Sequence, residues 1–145
     1  MNPYLEIEHC VARLVREHKK HPRLFVSYDF DDTVFNFHDA TEDRELNLKT
    51  HAQVIELLRE CKERGFYLIL FTAGKPERFD RMRQYCKELG IEPDSINKNA
   101  VDGLPFGNHG KIYYNIFLDD RAGLGAAVET LRQFLATLPP LTPVS

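Results

Sequence analysis

No apolar run in this 145-residue chain approaches the roughly 18 residues that a membrane span requires, so no membrane partner is expected. The basic excess that marks a nucleic-acid footprint is missing as well. The formal net charge is -3, where a basic patch or stripe is usual for such partners. That disfavours nucleic acid without excluding it, because clustering matters more than the sum. Cysteine is scarce: Cys10, Cys61 and Cys86 are odd in number and share no metal-type spacing. Each falls on the apolar stripe of a predicted helix, which makes them reduced core residues. The six histidines show no triad or metal spacing either, and His38, the one nearest the chemistry described below, is expected at the surface. The opening MNPYLEIEHC lacks the apolar h-region of a signal peptide. Together with reduced thiols, this gives a cytoplasmic expectation.

Repeats, low-complexity tracts and linkers are also missing, so one domain over 1–145 is expected, a length sufficient to bury a sizeable core. Its parts are an N-terminal helix over 3–20, a core over 24–138 and a short tail over 139–145. Asn2-Pro3 reads as an N-cap and first helical residue, with Ile7, Val11, Leu14 and His18 on one face. LFVSY (24–28) and FYLILF (66–71) are short continuous apolar runs, as buried strands require. Between them a helix is predicted from about Lys49 to Arg64, closed by Gly65. Pro76 opens the next helix, striped by Phe79, Met82, Cys86 and Leu89 and ended by Gly90. A weak strand over Asp94–Asn97 follows, then an unassigned glycine-rich stretch over 99–110, then the strand YYNIFL (113–118). The last helix carries Leu124, Val128, Leu131, Leu135 and Leu138, and Pro139-Pro140 stops it. Strands alternating with helices predict an α/β fold: a single-domain Rossmann-like three-layer sandwich with a mostly parallel sheet. Ligands of such sheets bind outside the carboxyl ends of the strands.

Three strands end in residues that can do chemistry at that edge. The first runs into Asp29-Phe30-Asp31-Asp32-Thr33, the second into Thr72-Ala73-Gly74, the last into Asp119-Asp120-Arg121. Carboxylates gathered there raise one another's pKa unless a cation lies between them. Mg²⁺ suits hard oxygen ligands, whereas zinc would want a His/Cys cluster. Such a site suits phosphoryl transfer. A carboxylate can form an aspartyl-phosphate, and a second carboxyl two residues on can protonate the leaving oxygen and later activate water. A hydroxyl and N–H groups at the Thr72 turn can hold phosphate oxygens.

DFDDT after an apolar strand resembles the DxDxT motif of the haloacid dehalogenase (HAD)-like hydrolases, and LFT and FLDD resemble that superfamily's second and fourth motifs in the right order. The similarity spans about 24–125, and LDDRAG is similar to the DDR ending of polynucleotide 3′-phosphatase domains and small phage-type members. The resemblance implies Asp29 as nucleophile and metal ligand. Asp31 would be general acid/base, with its backbone carbonyl on the metal. Thr72 would bind phosphate, Asp119 would ligate Mg²⁺ directly, Asp120 directly or through water, and Thr33 would stabilise the turn. For the third-motif lysine, Lys98 follows the weak strand and emerges at the active end. Lys111 precedes the last strand and so starts roughly 20 Å away at ~3.3 Å per residue. Lys98 is preferred and Lys111 stays open. Asp32 is expected as a solvated turn carboxylate, and Lys75 and Arg78 as surface charges.

Neither interval between motifs can house a cap domain. The segment 34–46 is expected to form a small flap with Phe35 and Phe37 at the entrance. A capless member implies an open site, acting on macromolecular ends or phosphoproteins, or closed by a homo-oligomer. The acids Asp39, Glu42, Asp43 and Glu45 would repel a polyanion within a Debye length of roughly 8 Å, which favours a small phosphorylated substrate. The expected function is therefore a Mg²⁺-dependent phosphomonoester hydrolase, with a polynucleotide 3′-phosphatase or a non-catalytic Mg²⁺-binding module as alternatives. A signalling receiver domain would place its phosphoacceptor on the third strand, which here ends in Asn97.

Overall fold

Four short apolar runs assemble into one parallel sheet in the computed structural model, which describes residues 2–37, 44–101, 104 and 110–142. The strands are β1 (Phe25–Tyr28), β2 (Tyr67–Leu70), β3 (Ser95–Ile96) and β4 (Ile116–Leu118). Their order is β3-β2-β1-β4, and every pairing is parallel. All four residues of β1 are buried, as befits the central position of that strand. The chain steps outward from β1 to β2 to β3, then returns to the other side of β1 for β4. Between β1 and β4 the strand order reverses, and this is where open α/β sheets form their binding crevice.

The helices are α1 (Ile7–Lys20), α2 (Arg44–Glu63), α3 (Phe79–Glu88) and α4 (Leu124–Ala136). Strand side chains alternate between faces. Val26 and Tyr28 of β1, Leu68 and Leu70 of β2 and Leu118 of β4 share one cluster with Leu14, Leu58, Cys86 and Leu131, one residue from each helix. Phe25, Ser27 and Ile69 face the other way and are buried too. The Tyr113 ring packs edge-on to Phe25 on that side, with centroids 5.6 Å apart. The α/β, single-domain, Rossmann-like architecture expected from the alternation of strands and helices is the one observed. All three cysteines are free, and Cys61 and Cys86 are fully buried. No helix among the described residues is long and apolar enough to cross a membrane.

Several boundaries differ from the sequence expectation, and three of them have a clear physical reason. The N-terminal helix does not run unbroken from residue 3. Asn2 caps a single 3₁₀ turn over Pro3–Leu5, Glu6 is extended, and α1 begins at Ile7. Tyr4 and Leu5 are exposed, so no burial holds that turn in line with α1. Second, α2 starts five residues before Lys49 and is kinked at His51 (φ −109°, ψ 17°). Its first turns are held by polar contacts: Asn47 Oδ1 accepts the Asn36 N–H, and His51 Nε2 lies 2.6 Å from Asn36 Oδ1. Apolar periodicity cannot register such turns. Third, β4 is three residues long, where six were expected. Asn115 ends the pairing, because its side-chain Oδ1 accepts the Phe25 N–H at 2.7 Å and its own N–H donates to the Phe25 carbonyl. The Asn115 carbonyl turns to Arg13 instead of a strand.

Candidate active site

The parallel ladder continues one residue past β1, where the Asp29 N–H donates to the Leu118 carbonyl at 2.9 Å. Tyr28 pairs with Leu118 in register, so Asp29 and Asp119 stand side by side at the switch point. Asp120 completes the group. Carboxylate oxygens of Asp29, Asp119 and Asp120 all lie within 4.8 Å of one another. The fully buried Thr33 ties them together. Its hydroxyl oxygen accepts the Asp120 N–H at 3.2 Å and lies 3.5 Å from both Asp29 Oδ2 and Asp120 Oδ1. The threonine expected to stabilise the turn therefore also bridges two of the acids. The Arg121 N–H donates to Asp119 Oδ1 at 2.8 Å, fixing that carboxylate from the other side.

Asp29 feels this crowding. Burial, then Asp119, and more weakly Asp120 and Asp31 push its carboxyl from 3.8 up to about 7. A half-buried acid beside two others is a cluster short of positive charge. Three hard oxygen donors converging on one point form a set that fits a divalent cation such as Mg²⁺ or Ca²⁺ and offers nothing to a soft metal.

Asp31 stands apart from this group. Its carboxylate accepts both terminal nitrogens of Arg78, at 3.0 and 3.2 Å, in the forked geometry that guanidinium favours. Of the four acids expected at the metal, the Asp31 side chain is thus the one not brought to the cluster. Arg78, expected as a surface charge, is half-buried and also lies over the Phe37 ring at 5.7 Å. It comes from the 3₁₀ turn Pro76–Arg78 that leads into α3. Asp32 is the turn residue expected. It sits at φ +61°, and its Oδ1 accepts the Phe37 N–H.

Thr72 is buried one residue beyond Phe71, whose N–H donates to the Tyr28 carbonyl next to Asp29. Its Oγ1 accepts the Gly74 N–H at 3.0 Å, a compact turn. Asn97 holds the turn by both ends: its Oδ1 accepts the Thr72 N–H and its Nδ2 donates to the Thr72 carbonyl, each at 2.8 Å. Asn97 itself is at φ +56°, a conformation that asparagine tolerates better than most residues. Asn97→Ala is expected to release both Thr72 groups. It should cost about 1–3 kcal/mol in urea unfolding and leave the turn less ordered, seen as faster amide exchange at Thr72.

Lys98 is exposed, and its carbonyl accepts the Ser95 hydroxyl. Lys111 is brought near it by the chain that leads into β4. The strand begins only at Ile116, and Asn99 clasps the approaching chain by donating to the Lys111 carbonyl at 2.9 Å and accepting the Tyr113 N–H. The two lysines thus flank one clasp, and neither belongs to the acid cluster. Three residues now seen to organise the site, Arg78, Asn97 and Asn99, carry no motif. The signal for Asn97 and Asn99 was position just past β3, and for Arg78 its nearness in sequence to the Thr72 turn. His38, Asp39, Glu42 and Asp43, and most of 99–110, lie outside the described residues. Of the flap acids, Glu45 is described and is exposed on α2.

No family model matches the chain, and no curated protein matches it. Among solved structures it is similar to a conserved protein from Bacteroides thetaiotaomicron, with a TM-score of 0.54 and 22% identity. The similarity covers 77% of this chain and 91% of that one. At this identity the likeness shows the shared α/β fold alone.

Proposed function

We propose that the protein is a Mg²⁺-dependent phosphomonoester hydrolase working through an aspartyl-phosphate on Asp29. The observation that carries this reading is the convergence of Asp29, Asp119 and Asp120 at the β1/β4 switch point, with the Thr72 turn on the neighbouring strand. Asp29 Oδ attacks phosphorus, the P–O bond to the leaving group breaks, and Asp31 supplies the proton to the departing oxygen. Water then attacks the same phosphorus, Asp31 takes its proton, and Asp29 is released with inorganic phosphate. The Thr72 hydroxyl and the N–H groups of its turn hold phosphate oxygens, and Lys98 brings a positive charge to them.

Asp29, Asp119 and Asp120, with the Asp31 carbonyl, would hold Mg²⁺, which supplies the charge that keeps Asp29 ionised and draws negative charge from the phosphoryl oxygens. Asp31 is engaged by Arg78 on both oxygens, so that pair opens before Asp31 handles a proton. The Thr33 hydroxyl fixes the spacing of Asp29 and Asp120 throughout.

Phosphate release from phenyl phosphate tests the reading. Turnover should require Mg²⁺ and stop on chelation. A non-catalytic Mg²⁺-binding module would bind the metal and release nothing. A polynucleotide 3′-phosphatase would release phosphate from a 3′-phosphorylated oligonucleotide and leave phenyl phosphate intact.

A further inference from the structure

Arg78 lies where two parts of the site meet. Its terminal nitrogens hold both Asp31 oxygens, at 3.0 and 3.2 Å. The same guanidinium reaches the Thr72 turn. Arg78 Nη1 and Thr72 Oγ1 are each 3.2 Å from the point that a Cβ on Gly74 would occupy. A Cβ there would crowd both and meet Met82 Cε at 2.8 Å, so the bare glycine is what lets the guanidinium come this close to the turn. Lys98, the other cation assigned to phosphate, is exposed. Arg78 is half-buried and stands between the acid that serves the leaving oxygen and the hydroxyl that holds phosphate.

The pair with Asp31 is one that a stronger anion can break. Its side chains are 37% and 26% exposed, and ion pairs open to water to this degree are weak. The fork that fits a carboxylate also fits a phosphoryl group, which carries up to two charges where Asp31 carries one. The Phe37 ring, 5.7 Å from the guanidinium carbon, steadies the cation without supplying an oxygen. Resting on the phosphatase reading for where phosphorus sits, we infer that Arg78 is a phosphoryl-binding residue that changes partners. The incoming phosphate dianion takes its N–H groups from Asp31, and the carboxylate so released serves the leaving oxygen. One event then binds the substrate and frees the acid/base, and an empty site keeps Asp31 tied.

Calorimetric titration with inorganic phosphate, in the presence of Mg²⁺, tests this. The comparison is made in Asp31→Asn, which removes the competing charge so that the Arg78 contribution is read alone. Adding Arg78→Gln to that variant should weaken the phosphate Kd about tenfold or more, the scale of hydrogen bonds to a charged group. The wild type should bind phosphate more weakly than Asp31→Asn, because Asp31 must first give up the fork. A loss under about threefold in the double variant is what a screened charge that does not touch the anion gives, and it would overturn the assignment. So would tighter binding by the wild type than by Asp31→Asn, or no phosphate binding by Asp31→Asn at all. Phosphate release from phenyl phosphate by the wild type is the separate test of the phosphatase reading. Turnover with equal affinities in the two variants removes Arg78 and keeps the phosphatase. The tenfold loss without turnover keeps the anion site and removes the phosphatase.

Discussion

Asp29→Asn is expected to lower kcat for phosphate release at least about 10⁴-fold while leaving the fold in place. Asparagine matches the size of aspartate and keeps the N–H that donates to the Leu118 carbonyl, so the β1/β4 junction is preserved. What it loses is the charged oxygen that attacks phosphorus. Steady-state kinetics with phenyl phosphate, beside a circular-dichroism melt, separates the two effects. A variant that is folded and still turns over within tenfold of the wild type would remove Asp29 from the nucleophile's role.

The second large effect is on stability, and its sign follows from the crowding of the acids. In the unfolded chain Asp29 ionises near 3.8, whereas in the fold burial and Asp119 hold its proton to about 7. Between those values unfolding releases a proton, so the stability contributed by this group is fully present below about pH 4. It is lost as pH rises through 7. The metal-free wild type should therefore fall behind Asp29→Asn over that window. A shift of this size in a half-exposed group, discounted for solvent screening, is worth about 1–2 kcal/mol, or roughly 3–6 °C in Tm. Mg²⁺ at about 100 times its Kd should add roughly 2.7 kcal/mol at pH 8, less at pH 5, where Asp29 is protonated, and less again in Asp29→Asn. Differential scanning calorimetry at pH 5 and pH 8, with and without Mg²⁺, reads all of this. A wild type that gains stability relative to Asp29→Asn as pH rises would contradict the crowding.

The two kinds of residue at this site were unequally legible in the sequence. Asp29, Asp119 and Thr72 each follow an apolar run directly, with Asp120 one residue further on, and a parallel sheet brings such residues to one edge whatever the strand order. The order itself, with β4 returning beside β1, is what places Asp119 next to Asp29, and no periodicity encodes it. Side-chain amides were the main source of error. Asn115 substitutes for a ladder bond and shortens β4, Asn47 extends α2 toward the turn after β1, and Asn99 draws Lys111 to Lys98. Each is a single hydrogen-bonding choice among many open to an asparagine, and only the folded backbone selects it. Arg78 belongs with them: its spacing from Asp31 in the chain is 47 residues, and their pairing depends on how the turn before α3 approaches β1.

Borohydride trapping during turnover tests the central claim most directly. An aspartyl-phosphate is reduced to homoserine, which peptide mass spectrometry locates to a single position. With Mg²⁺ and phenyl phosphate present, the account predicts homoserine at position 29, dependent on substrate and abolished in Asp29→Asn. Homoserine at Asp31, Asp119 or Asp120, or steady phosphate release with no residue modified, would contradict it.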